Sequence, residues 1–132
     1  MKWYRLAADQ GSASAQFCVG LAHQLGQGAP QSYREAERWY LLAAEQNNTE
    51  AMTNLAWMYS SENATGQIAR DGVKAFMWAS LAATQDNKKA QDKLKELYAA
   101  LSPAEISEAQ KQAREWKAAY AKKALQKKFG EP

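Results

Sequence analysis

His23 is the single histidine of the chain and Cys18 its single cysteine. A thiol or hydroxyl nucleophile needs a neighbouring base, and an imidazole is the usual one. The two residues lie five apart, whereas side chains meet across a helix at spacings of three or four. One His and one Cys also fall short of a protein zinc site, and no carboxylate cluster stands beside them. Gly26-Gln27-Gly28 has the glycine spacing of a phosphate loop, but no strand pattern precedes it and a third glycine is missing. Asn47-Asn48-Thr49 and Asn63-Ala64-Thr65 match the glycan-acceptor pattern, which is short and common by chance. Lys122-Lys123-Ala124-Leu125-Gln126-Lys127-Lys128-Phe129 is a basic cluster. It reads as a solvated helix end whose cations complement the helix dipole, or as a foot for an acidic partner or anionic membrane. No acid–base or nucleophile constellation assembles from these residues. The expectation is therefore no enzyme, no cofactor and no metal ion.

The elements that position these residues repeat. Trp3-Tyr4-Arg5-Leu6-Ala7-Ala8 recurs 36 residues on as Trp39-Tyr40-Leu41-Leu42-Ala43-Ala44, and a looser copy follows 39 residues later at Trp78-Ala79-Ser80-Leu81-Ala82-Ala83. Between them runs a second pattern: Ala15-x-x-x-Val19-Gly20-x-x-His23, Ala51-x-x-x-Leu55-Ala56-x-x-Tyr59 and Ala90-x-x-x-Leu94-Lys95-x-x-Tyr98. Positions i, i+4, i+5 and i+8 make one helical stripe. His23 falls on it, so its expected role is packing. A period of this size marks stacked helical hairpins, none of which buries its apolar face alone. Small residues at Gly20, Ala56 and the Ala-Ala pairs let helices approach, and each Trp fills the gap beside them. The spacing predicts helices over 2–9, 12–25, 32–45, 48–60, 70–84 and 87–101. Gly11, Asn47-Asn48 and Asp86-Asn87 stop the second helix of each unit. A last helix opens at Ser102-Pro103-Ala104-Glu105, with Ser as N-cap and Glu closing a capping box.

With 46% apolar and 23% charged residues in 132, the chain has the composition of one compact globular unit. The net charge of +3 is diffuse and does not point to nucleic acid, and every apolar run is too short or too charged to span a membrane. No apolar leader core precedes the first repeat. The expectation is a cytosolic chain or the mature or truncated part of a longer one, with the compartment unread.

The Trp-Tyr-x-x-Ala-Ala and Ala-x-x-x-Leu-Gly-x-x-Tyr patterns, with Gly-x-Gly between them, resemble the Sel-one-like repeat (SLR), a member of the tetratricopeptide-type helical solenoids. The resemblance runs nearly to Tyr98, and Leu101 to Trp116 is similar to the closing helix of many bacterial SLR proteins. It implies an all-α, right-handed helical-hairpin solenoid with a C-terminal capping helix. The domain is then a single unit over 1–128: a half repeat at 1–9, repeats at 10–45 and 46–84, a half repeat at 85–101 and a cap over 102–128. Two departures matter. His23 replaces the usual Tyr. Lys95 replaces a small residue, and a long charged side chain cannot sit in a close helix crossing, so the last helix must pack differently.

The resemblance also implies function. SLR proteins are typically adaptors and scaffolds, often bacterial and exported, holding other proteins on a concave face lined by first helices. Carried over, that face takes Phe17, Leu21 and Gln24 from the first full unit, Glu50, Thr53 and Trp57 from the second, and Asp92 and Glu96 from the third. Ser61 falls on the same face. Phe17, Leu21 and Trp57 exceed what the repeat stripe needs and make either an apolar groove with an acidic border or side chains packed on a neighbouring helix. The reading is a non-catalytic protein–protein interaction module for a protein or peptide partner. The alternative is a regulatory or targeting fragment of a larger bacterial secreted protein or enzyme. At the N-terminal edge, Trp3, Tyr4 and Leu6 cannot all point inward from a two-turn helix. Upstream repeats or a two-fold homodimer would cover that edge.

Overall fold

A computed structural model describes residues 2–60, 68 and 70–129. Among these residues it holds seven helices and no strand: α1 (Lys2–Asp9), α2 (Ala13–Leu25), α3 (Tyr33–Glu45), α4 (Thr49–Ser60), α5 (Gly72–Ala83), α6 (Lys88–Ala100) and α7 (Pro103–Phe129). The all-helical hairpin solenoid expected from the period is the fold observed. Asn63-Ala64-Thr65 and Ser61 lie outside the described residues.

Local chemistry sets the helix starts. Ser12, Ser32, Asn48, Asp71 and Asn87 each accept a hydrogen bond from the backbone N–H three residues on, at 2.8–3.3 Å. Such N-caps satisfy donors that the first turn leaves orphaned. Ser102 and Glu105 close the capping box: the Ser102 N–H donates to the Glu105 carboxylate at 3.0 Å, and the Glu105 N–H donates to the Ser102 hydroxyl at 3.2 Å. The second helices stop at one repeated place. Gly11, Asn47 and Asp86 all have positive φ, the left-handed conformation that Gly adopts freely and Asn and Asp tolerate.

From α1 to α6 each helix packs on the next, with the hairpins α2–α3 and α4–α5 the most extensive pairs. The core lies in the middle of the stack, where Tyr40, Met52, Leu55, Phe76 and Leu81 are fully buried. A smaller cluster of Ala8, Ala15, Val19 and Trp39 ties α1 and α2 to α3. Gly20 is needed at the α2–α3 crossing: a Cβ there would sit 2.7 Å from the Tyr40 ring.

The expectation from Lys95 holds. Lys95 is exposed, and α7 lies along α5. Ala109 and Ala113 are buried there, Ile106 and Trp116 pack partly against the core, and Trp116 meets Trp78 edge-on at 6.0 Å. Residues 121–129 are helical and exposed.

Candidate functional site

α2, α4 and α6 present two open grooves. The first, about 510 Å³, runs between Phe17 and Leu21 of α2, Glu50, Thr53 and Asn54 of α4, and the Asp86–Lys89 start of α6. The second, about 360 Å³, lies between Trp57 and Ser60 of α4, Arg70, and Lys93, Glu96 and Leu97 of α6.

Six of the eight side chains expected on this face line one groove or the other. Phe17 is half-buried and stacks on Tyr40 at 5.7 Å, so one face of its ring belongs to the core. Leu21 is half-buried and Glu50 is exposed. Thr53 lies at the groove floor, buried, with its hydroxyl donating to the Thr49 carbonyl at 2.9 Å. Trp57 is 51% exposed, an unusual position for an indole in a packed domain. Glu96 is largely exposed beside it. The other two line neither groove. Gln24 accepts the Tyr40 hydroxyl at 2.5 Å and so serves the α2–α3 crossing, while Asp92 is exposed on α6.

Lys93 is the residue the pattern missed. It is buried, its ammonium lies 3.5 Å from the Trp57 ring centroid, and it donates to Glu96 at 2.5 Å. A buried ammonium needs a partner, and here the carboxylate and the electron-rich indole face supply one together. The result is a contiguous Trp57–Lys93–Glu96 contact across α4 and α6. The signal was available: Lys93 occupies the repeat position of Cys18 and Asn54, immediately beside the inward-facing residues.

His23 is buried, with both ring nitrogens committed. Nδ1 donates to the Pro30 carbonyl at 3.0 Å, which leaves Nε2 to accept from the Arg5 guanidinium at 3.4 Å. Neither nitrogen is free to act as a base for Cys18. Glu35 pairs with Arg38 at 3.0 Å, and this bond holds its carboxyl below the usual value. Among the described residues no group of three His, Cys, Asp or Glu side chains could hold a metal ion, and no helix is long and apolar enough to cross a membrane.

The family model of the Sel1 repeat matches residues 1–12, 13–48 and 49–87. The chain belongs to the Sel1-repeat family. Its fold is that of the solved Sel1-repeat proteins. It is similar to c5321, a protective antigen present in uropathogenic Escherichia coli strains and displaying an SLR fold, at 27% identity over 99% of this chain and 28% of that one, with a TM-score of 0.83. It is also similar to a Sel1 repeat protein from Oxalobacter formigenes, at 32% identity over 74% of this chain and 39% of that one, with a TM-score of 0.66. Among sequence relatives, the mouse DAP3-binding cell death enhancer 1 is 32% identical over 61% of this chain, and human protein sel-1 homolog 2 is 43% identical over 43%. HRD3B, a component of an ERAD-associated E3 ubiquitin-protein ligase of Arabidopsis thaliana, is 35% identical over 43%. The chain spans only 16%, 8% and 9% of these three relatives' lengths. Sel1 repeats mediate protein–protein interactions, and proteins of this family are generally non-catalytic scaffolds.

Proposed function

We propose that this Sel1-repeat chain binds a segment of a partner protein on the concave face formed by α2, α4 and α6. The observation that carries the reading is Trp57: half-exposed, with the Glu96-paired Lys93 ammonium against its ring, and lining the open groove between α4 and α6. A large aromatic side chain bordered by polar groups is what peptide anchors use. Phe17 and Leu21 offer a second apolar contact further along the same face. The ligand on this reading is a peptide or helix with two apolar side chains spaced to reach Phe17–Leu21 and Trp57, and polar groups between them.

The test is selection of peptides from a displayed library on the wild-type chain, followed by affinity measurement on variants. Trp57→Ala is expected to weaken selected peptides by about 2 kcal/mol, roughly thirtyfold, with the helical fold retained by circular dichroism. Peptides that bind both proteins equally would end the reading.

A second reading has its own support. The chain spans less than a fifth of its sequence relatives and 28% of the E. coli protein. In this reading the repeats target or regulate other domains of a longer protein, using the same face.

A further inference from the structure

The repeated tryptophan carries the chain's own cations in one unit and none in the next. Over the ring of Trp39 lie the guanidinium of Arg5, 5.5 Å from the centroid, and that of Arg38, at 5.0 Å. Trp78 is the same position one repeat later. There Met77 takes the place of Arg38, and Leu41 takes the place of Arg5. Among the described residues no cation of the chain lies over Trp78.

What stands beside Trp78 is a pocket of about 250 Å³, lined from α3, α5 and α7 and by no residue of the concave face. Trp78 is buried, and Trp116 and Tyr120 are half-buried. Trp116 meets Trp78 at 71° with centroids 6.0 Å apart, and Tyr120 lies nearly parallel to Trp116, at 9° and 5.2 Å. The rings therefore wall the pocket in two planes. Glu45, the last residue of α3, and Lys123 of α7 complete the lining, both exposed. Among the described residues neither forms an ion pair, and Lys123 lies over none of the three rings.

Aromatic faces attract a cation, most strongly where water is excluded. The kind of cation follows from the acceptors. An alkylammonium brings three N–H donors and a guanidinium five. Of the lining side chains only the Glu45 carboxylate and the Tyr120 hydroxyl can accept, so such a group would leave donors unpaired on burial. A quaternary ammonium has no donor to satisfy. Lys123 sets the rest of the ligand: its charge repels a simple cation and attracts an anionic group carried close to the ammonium. The volume lies below the range of about 300–1,000 Å³ usual for drug-sized ligands, so the ligand is small.

We propose that this pocket binds a small soluble zwitterion of the betaine class. Its quaternary ammonium lies against Trp78, Trp116 and Tyr120 near Glu45, and its anionic group lies toward Lys123. The site does not depend on the concave face.

The experiment titrates the full chain with glycine betaine and follows the indole N–H signals by NMR. Trp78 and Trp116 are expected to shift saturably, with Trp39 and Trp57 unmoved. The isostere tert-butylacetate keeps the shape and the carboxylate but has a neutral carbon in place of the nitrogen, and it should bind about tenfold more weakly. Choline keeps the cation and lacks the anion. Lys123→Gln should weaken glycine betaine and strengthen choline, each by about threefold, and Glu45→Gln should weaken both by about the same factor. Both side chains are exposed, so neither variant disturbs the core. No saturable shift at up to about 0.1 M ligand overturns the proposal, as does equal binding of the isostere. A Lys123→Gln effect of the same sign on both ligands removes the zwitterion and overturns it too. A response to phosphatidylcholine vesicles with none to glycine betaine would make the occupant a membrane surface and overturn it as well.

Discussion

α4 and α6 carry the same motif and bury different faces of it. In α4 the stripe Ala51, Leu55, Ala56 and Tyr59 is wholly buried between α3 and α5. In α6 the equivalent residues are Ala90, Leu94, Lys95 and Tyr98, and only Ala90 is fully buried. Its buried set is instead Ala90, Lys93 and Leu97, and Leu101 continues the line. The physical cause is the residue at the crossing. Gly20 and Ala56 let the next helix close on them; Lys95 cannot, so the next helix lies on α5 and the α6 stripe turns toward α4 and α5. That turn brings Lys93 against Trp57, the half-exposed aromatic of the candidate face. Breaking the repeat at its end is what shapes the proposed binding face.

The largest expected effect concerns the helix that replaces the normal partner of α6. Ending the chain after Leu101 removes the cover of Trp78 and of the α5 surface under Ala109 and Ala113. Trp116 alone accounts for about 2 kcal/mol of that burial. This truncation should aggregate at concentrations where a chain ending at Tyr120 stays soluble, because residues 121–129 are all exposed. Equal behaviour of the two in sedimentation would deny α7 a capping role.

Next in size is a leucine placed at the crossing position of each unit. Gly20→Leu forces its side chain into the Tyr40 ring and should cost about 3 kcal/mol, the upper end of ordinary overpacking. Ala56→Leu should cost about 1–3 kcal/mol. Lys95→Leu, at an exposed site, should change stability by no more than about 0.5 kcal/mol. Urea unfolding of the three variants measures this gradient, and a Lys95→Leu penalty as large as the others would show that the end unit closes like the middle one.

Much of this architecture was legible in the residues. The helices came from the Ala and Trp spacing, from stops such as Gly11 and Asn47-Asn48, and from the Ser102–Glu105 capping box, because local hydrogen bonding and period act through neighbours in sequence. Lys95 announced that the last helix would not close normally. The candidate face was harder to read. Which groove a side chain lines depends on helices far away in sequence: Gln24 is drawn off by Tyr40, Thr53 bonds its own helix, and Lys93 enters only because α6 has turned. A fixed list of inward positions assumes identical units, and these units differ where the site forms.

The smallest expected effects separate middle from end by pH. In the middle, burial pushes the Tyr40 hydroxyl up to about 12, against the opposing bond from Asn54. Burial first, and the Glu37 carboxylate second, push Tyr59 up further. An unfolded tyrosine ionises near 10. Above that value the unfolded chain loses protons that the folded chain keeps, so stability is full below about pH 10 and falls as pH rises beyond it. At the end, the backbone N–H and hydroxyl of Ser102 hold the Glu105 carboxyl below its ordinary value. Its contribution is present above the unfolded value near 4.3 and is lost as pH falls through the folded one. Alkali should therefore loosen the α3–α4 core, and acid should fray the start of α7. Amide exchange resolved by residue, run at mildly acidic and strongly alkaline pH, reads both at once. Tyr59→Phe should flatten the alkaline fall and leave the acid fraying of residues 103–106 untouched. If acid instead opens α3 and α4 together with α7, the two regions unfold as one, and the distinction drawn between the middle unit and the end unit does not extend to their stabilities.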